Sequence, residues 1–152
     1  MRPACLEVSG TMDESLTLHF TVPPDDFTRA GEASSSTKAT LKQLGLPADV
    51  IRRVSIVMYE GEINMVIHAN GGRAEVEVTL DQIVLKMIDE GPGIPDVAKA
   101  MEEGYSTAGP EVRSLGFGAG MGLPNMKRYS DEMNIETEVG KGTVVTMKLK
   151  IG

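Results

Sequence analysis

Glu60, Asn64 and His68 stand four residues apart in a segment whose other positions are mostly apolar. From Ile51 to Ala69 the run IRRVSIVMYEGEINMVIHA has helical periodicity and contains no Pro. At about 100° per residue, Val57, Glu60, Asn64 and Ile67 fall on one stripe, with Val54, Ile56, Ile63 and Met65 beside it. A carboxylate, an amide and an imidazole are costly to bury there without partners. Either local hydrogen bonds or a cation satisfy them, or the helix lines a ligand pocket. Glu62 points roughly opposite to Glu60 on the same wheel and reads as a solvated carboxylate.

Three further clusters have spacings that suit a ligand. Between Glu90 and Gly122 the chain holds eight Gly and three Pro in 33 residues, closing on Gly116, Gly118, Gly120 and Gly122. Such a series lets backbone amides approach a ligand where a Cβ would intrude. A helix opening near Leu123 would aim its N-terminal amides and dipole at the same place, as at a phosphate site. The spacing is neither that of a P-loop nor, without a parallel βαβ unit, that of a dinucleotide fingerprint. Asp89-Glu90-Gly91-Pro92-Gly93 ends a strand: its Asp could accept from an amine while the backbone bends around a flat ring. Gly140-Lys141-Gly142-Thr143 is equally at home as a hairpin turn.

The elements that position these clusters follow from patterning. Residues 1–14 read as an N-terminal polar tail or an added strand, outside a single domain over 15–152. Leu16–Val22 (LTLHFTV) alternates as a strand and stops at Pro23-Pro24. A helix is expected from Asp25 to Leu44 despite its small-residue centre, and the long helix over Ala48–Ala69. Strands Arg73–Leu80 and Ile83–Asp89 meet at a turn on Asp81-Gln82. One helical turn falls near Val97–Glu102, inside a flexible lid spanning about 94–121. A helix Leu123–Tyr129 and strands Met133–Val139 and Thr143–Ile151 complete the chain. The fold class is α+β, a two-layer sandwich with a mainly antiparallel mixed sheet and helices on one face.

Composition narrows the function classes. The chain has 152 residues, 41% hydrophobic, with no Trp and ten Met, so aliphatic residues and Met fill one core. Asp and Glu number 22 against 15 Lys and Arg, a net charge of −7, which argues against a nucleic-acid partner. A single Cys5 excludes an internal disulfide, and with two His it cannot build a zinc site. No apolar run reaches the ~20 residues of a membrane span, and the N-terminus lacks a signal-peptide core; the expectation is a soluble, cytoplasmic protein without membrane partners.

Glu-x3-Asn on a helix, Asp-x-Gly-x-Gly after a strand, a GxGxGxGL lid before a helix and then Gly-x-Gly-Thr occur here in that order. This order resembles the GHKL superfamily of Bergerat-fold ATP-binding domains over residues ~16 to 151, nearly the whole chain. Within it, YEGEINMVIHAN and GFGAGMGLPNMKRYSDEMNIETEVGKGT are similar to the anti-sigma factor serine kinases, especially the switch-type subgroup. The resemblance implies ATP and Mg²⁺ as cofactors, with Asn64 as the protein ligand of the metal. It implies Glu60 as general base on a serine hydroxyl. Charge on a transferring phosphoryl needs a cation, and Arg113 in the lid is the candidate, with Lys127 and Arg128 behind it and a solvated loop charge as its other reading. The resemblance puts His68 at the border of the phosphates, with a structural imidazole as the other role. Gly116, Gly118, Gly120, Met121, Gly122 and Leu123 would wrap the phosphates. Asp89 would accept the adenine amino group, Gly91 and Gly93 would let the base lie flat, and Thr143 would support it. An extra Gly-Ala pair in the lid departs from the sigma-sequestering kinases. Gly61, mid-helix, would then answer to the close approach of a backbone or of nucleotide, since Ala would otherwise be ~1 kcal/mol better.

The implied activity is a serine/threonine protein kinase acting on a STAS-type anti-sigma antagonist and switching partners, with a sigma factor or other regulatory target as the second partner and a homodimer as the family's habit. An ATP-gated binding module with little turnover is the main alternative; it needs Asn64 and Asp89 but no Glu60. A sensor histidine kinase domain would need an upstream dimerisation hairpin and a phosphoacceptor setting for His19 or His68. A plain α+β domain with a glycine-rich loop completes the set.

Overall fold

The computed structural model describes residues 4–8, 15–24, 29–69, 71–102 and 122–152. Six strands, β1 (Ala4–Val8), β2 (Leu16–Val22), β3 (Gly72–Val78), β4 (Gln82–Asp89), β5 (Glu132–Glu138) and β6 (Gly142–Lys150), form one sheet in the order β1-β2-β3-β4-β6-β5. Every pairing among the described residues is antiparallel, so the mixed component expected of the sheet does not occur among them. Hairpins reverse the chain between β3 and β4 and between β5 and β6; the α1–α2 excursion brings β3 back antiparallel to β2, whereas β5 runs in the same sense as β4, with β6 antiparallel between them. Of the two readings of residues 1–14, Ala4–Val8 takes the strand form, along the free edge of β2.

The helices are α1 (Glu32–Gln43), α2 (Ala48–His68), the single turn α3 (Val97–Ala100) and α4 (Gly122–Tyr129). Strand register shows which sheet face they cover. Leu18, Val76, Leu85 and Met147 are neighbours across four strands, as are Phe20, Ala74, Met87 and Val145, and all eight are buried. The other face carries Thr17, His19, Glu75, Glu77, Lys86 and Thr146 at the intervening positions. This is the period-two division of an antiparallel sheet packed on one side only. Met58, Met65, Met87, Met126 and Met147 are all buried, the filler role that a chain without Trp requires.

α1 begins at Glu32, later than the expected Asp25; residues 25–28 lie outside the described ones. Gly31 has φ 99°, left-handed backbone that cannot continue a helix backwards. The small residues of this helix have a packing reason, since Ala33, Ser34 and Thr37 are buried with Leu41. Their size lets α1 lie close on α2, where Ser34 Oγ donates to the Ser55 carbonyl at 3.0 Å. Gly61 is explained from the opposite side. A Cβ there would fall 2.5 Å from Met87 Cε, so a β4 side chain occupies the space beside this glycine.

Candidate functional site

α2 presents Glu60, Asn64 and His68 as half-buried residues at the margin of the core, with Val57, Ile63 and Met65 buried beside them. Burial alone pushes the Glu60 carboxyl up from the ordinary glutamate range. No neighbour offers it a compensating hydrogen bond among the described residues. Burial likewise pushes the His68 imidazole down, which keeps it neutral at pH 7. Asn64 faces the start of α4: a Cβ on Gly122 would stand 3.1 Å from Asn64 Oδ1. The first residue of an eight-residue helix therefore meets the carboxamide of α2. Pro124 sits in the first turn, where a missing N–H costs nothing, and Leu123 and Met126 anchor α4 in the core. A helix start and an amide oxygen within reach suit an anion accompanied by a hard cation.

Glu62 is not the solvated carboxylate that its place on the helical wheel suggests. It is 2% exposed and accepts from the backbone N–H of Gly31 (3.0 Å), Ala33 (3.2 Å) and Ser34 (2.7 Å). Those are donors at the start of α1, which has no side-chain cap of its own. Glu62 therefore caps α1 from across the helix pair, and its charge suits the positive end of the helix dipole. Burial pushes this carboxyl up, with the three N–H bonds pulling the other way.

The second part of the site gathers at the ends of β4 and β6. Asp89 is the register partner of Thr143 and accepts from Gly91 N–H at 2.9 Å. Burial pushes its carboxyl up, opposed by backbone donors from Gly91 and Thr143. Gly91 passes so close to the end of α2 that a Cβ would fall 2.7 Å from Ala69 Cα. Gly93, at φ 78°, passes equally close to the Glu138 carbonyl. At Gly142 a Cβ would overlap the Asp89 carbonyl. The Asp-x-Gly-x-Gly turn and the Gly-x-Gly-Thr hairpin are thus locked against each other, with Gly140 N–H donating to the Pro92 carbonyl at 2.9 Å. Thr137, which the motif reading does not single out, joins the same contact: it accepts from Ile94 N–H and lies 2.9 Å from the Thr143 hydroxyl.

An open pocket of about 640 Å³ lies between these pieces, walled by Ile67, His68, Arg73, Ile88, Asp89 and Gly91 among others. That volume suits a nucleotide-sized molecule. His68, Asp89 and Gly91 share its wall, whereas Glu60, Asn64, Gly122 and Thr143 are not part of it. Arg113, Gly116, Gly118, Gly120 and Met121 lie outside the described residues. Among the described residues no cluster of three His, Cys, Asp or Glu could hold a metal. The Asn64 carboxamide oxygen is a hard donor of the kind that suits a cation otherwise held by ligand oxygens and water. Also among the described residues, no helix is long and apolar enough to cross a membrane.

Comparison with known proteins bears on the family and the fold. The histidine kinase-like ATPase domain family matches residues 24–149. The chain is similar to the serine/threonine-protein kinase RsbT of Bacillus subtilis, 36% identical over 68% of this chain and 75% of that protein. It is also similar to the anti-sigma F factor of Caldanaerobacter subterraneus, 33% identical over 79% of this chain and 84% of the relative. In fold it is similar to the crystal structure of the RsbU and RsbW domains of a Mycobacterium tuberculosis protein, with a TM-score of 0.58 at 16% identity. That match covers 89% of this chain but only 32% of the other. With the α+β architecture and the ordered motifs, these matches place the chain in the histidine kinase-like, or GHKL, ATPase family, within its branch of anti-sigma regulatory kinases.

Proposed function

We propose that this protein is an ATP-dependent serine/threonine kinase that phosphorylates a STAS-type regulatory partner and thereby switches that partner's binding. The observation that carries the reading is Glu60. It is half-buried, without a hydrogen-bond donor among the described residues, and one helical turn before Asn64, whose carboxamide meets the start of α4. A module that only binds nucleotide needs Asn64 and Asp89; it has no use for a carboxylate kept from partners beside them. Relatives named as a serine/threonine-protein kinase and as anti-sigma factors support the same class.

In this reading Asp89, Gly91 and Gly93 hold the adenine, with Thr143 next to Asp89. Asn64, His68 and the first residues of α4, Gly122 and Leu123, border the phosphates, and the lid residues Gly116, Gly118, Gly120 and Met121 close over them. Asn64 would hold Mg²⁺ through its amide oxygen, and the metal's chemistry is to neutralise phosphate charge. Glu60 takes the proton of the partner's serine hydroxyl as its oxygen bonds to the γ-phosphorus and the bond to the β-phosphate oxygen breaks, releasing ADP. Burial raises the Glu60 carboxyl, which makes its ionised form a stronger base than an ordinary carboxylate. Arg113 is assigned to the charge on the transferring group.

The test is transfer of radiolabel from γ-labelled ATP to candidate STAS domains, with and without Mg²⁺. Label on a partner serine or threonine that is lost in Glu60→Gln supports the assignment. ATP binding that tightens the partner complex without any labelled partner would make the protein a gated binding module instead.

A further inference from the structure

Asp89, Thr143 and Thr137 stand in one row across β4, β6 and β5, on the face that the helices cover. We propose that Thr137 sets the hydrogen-bonding sense of the Thr143 hydroxyl, and through it the preference of the pocket for a 6-amino over a 6-oxo purine. The inference rests on the nucleotide reading above and concerns what that reading leaves open, how the base is told apart.

The argument is a count of protons. A threonine hydroxyl has one hydrogen to give and two lone pairs to receive. Thr137 Oγ1 receives the Ile94 N–H at 2.9 Å, lies 3.2 Å from the Gly142 carbonyl and 2.9 Å from Thr143 Oγ1. One arrangement makes all three bonds: Thr137 donates to the Gly142 carbonyl and receives both Ile94 N–H and the Thr143 hydroxyl. The reverse order, with Thr137 donating to Thr143, gives up the Gly142 bond. Thr143 is 7% exposed and Gly142 is buried, so a bond lost there is not replaced by water.

With its only hydrogen committed to Thr137, Thr143 can offer a ligand nothing but lone pairs. Asp89 beside it, when ionised, is also an acceptor. Asp89 at the pocket wall, with Thr143 next to it, then answers a donor such as the exocyclic amino group of adenine, Thr143 through one water. Guanine brings a carbonyl oxygen to the same position, where acceptor would meet acceptor. Removing the Thr137 hydroxyl frees the Thr143 hydrogen to turn outward and donate to that oxygen. Thr137 is thus a positioning residue acting through Thr143, and it also ties the Asp-x-Gly-x-Gly turn to the hairpin through Ile94.

Dissociation constants for ATP and GTP, measured calorimetrically with Mg²⁺ on the whole protein, test this in the wild type, Thr137→Val and Thr137→Ser. The wild type is expected to prefer ATP; Thr137→Val should lower that preference about tenfold, and Thr137→Ser should keep it. Loosening of the loop alone would weaken both nucleotides and leave their ratio unchanged, so an unchanged ratio in Thr137→Val overturns the proposal. Equal binding of ATP and GTP by the wild type also overturns it while leaving the nucleotide site in place. A wild type that binds neither removes the nucleotide reading itself. If Thr137→Val does not fold, the same ratio is read from Thr137→Ala.

Discussion

Glu60 and Glu62 are the same residue type, two positions apart on one helix, both with carboxyls pushed up by burial. Yet Glu62 meets three backbone N–H groups, and Glu60 meets none among the described residues. The difference comes from what packs on each face of α2. One face receives the uncapped start of α1, which needs acceptors; the other turns toward Asn64 and the start of α4. Donors, more than burial, separate a structural carboxylate from one left with unused lone pairs. A group whose acceptor capacity is spent on the fold is poorly placed to take a proton.

The sharpest way to break the comparison is to exchange each carboxylate in turn. Glu60→Gln should lower phosphotransfer by about 10²–10⁴-fold, the range of a lost general base, with ATP affinity and melting temperature unchanged. Single-turnover transfer and calorimetric ATP binding read the two apart; preserved turnover would end the base assignment. Glu62→Ala should leave the rate per folded molecule intact and lower stability by about 2–4 kcal/mol, from three orphaned donors and a cavity. Urea unfolding measures it. Collapse of turnover in a fully folded Glu62→Ala protein would mean that the two residues have been given each other's roles. Glu62→Gln, which keeps an acceptor, should cost about 1 kcal/mol.

The pH dependence sharpens the same contrast. Transfer should rise with pH through the raised Glu60 pKa, above the ordinary ~4.3, and Glu60→Gln should flatten that rise. Glu62 should be visible in stability instead. Its folded pKa is raised, so the folded state holds the proton more tightly than the unfolded one. The associated stability is present below the unfolded value of about 4.3 and lost as pH rises through the folded value. Glu62→Gln should therefore lose less stability than the wild type across that window in pH-dependent urea titrations. A wild-type slope retained in Glu62→Gln would assign it to Glu60 or Asp89, whose pKa values are raised as well.

Elements whose pattern is internal to themselves were legible in the sequence. The alternation of LTLHFTV gives the bounds of β2, and a Pro-free apolar run gives α2 to within one residue. The family order was legible too, because four short motifs constrain one another. What packs between elements was not. A helical wheel places Glu62 opposite Glu60 but carries no information on the neighbour there. The available signal was indirect: α1 opens on Gly31-Glu32-Ala33 without a capping side chain, so its donors had to be met from elsewhere. Thr137 was hidden for a related reason. Its role appears only when hairpin register sets it opposite Thr143, and the strand pattern alone makes it one more alternating residue.

Gly61, between the two glutamates, gives the smallest and most discriminating test. It faces a third direction, the sheet, where a Cβ would lie 2.5 Å from Met87 Cε and 2.8 Å from Cγ. Gly61→Ala gains about 1 kcal/mol of helix propensity and incurs about 1–3 kcal/mol of overpacking, so a net loss of about 1 kcal/mol is expected. Because Met87 belongs to the sheet core and not to the pocket wall, the loss should appear in unfolding and leave ATP affinity alone. Met87→Ala removes the crowded Cγ and Cε, so in that background Gly61→Ala should become stabilising, a change of sign that a double-mutant cycle detects. Weaker ATP binding at unchanged stability would instead return Gly61 to the nucleotide side of α2. In that case position 61 would join position 60, and only Glu62 would remain with the fold.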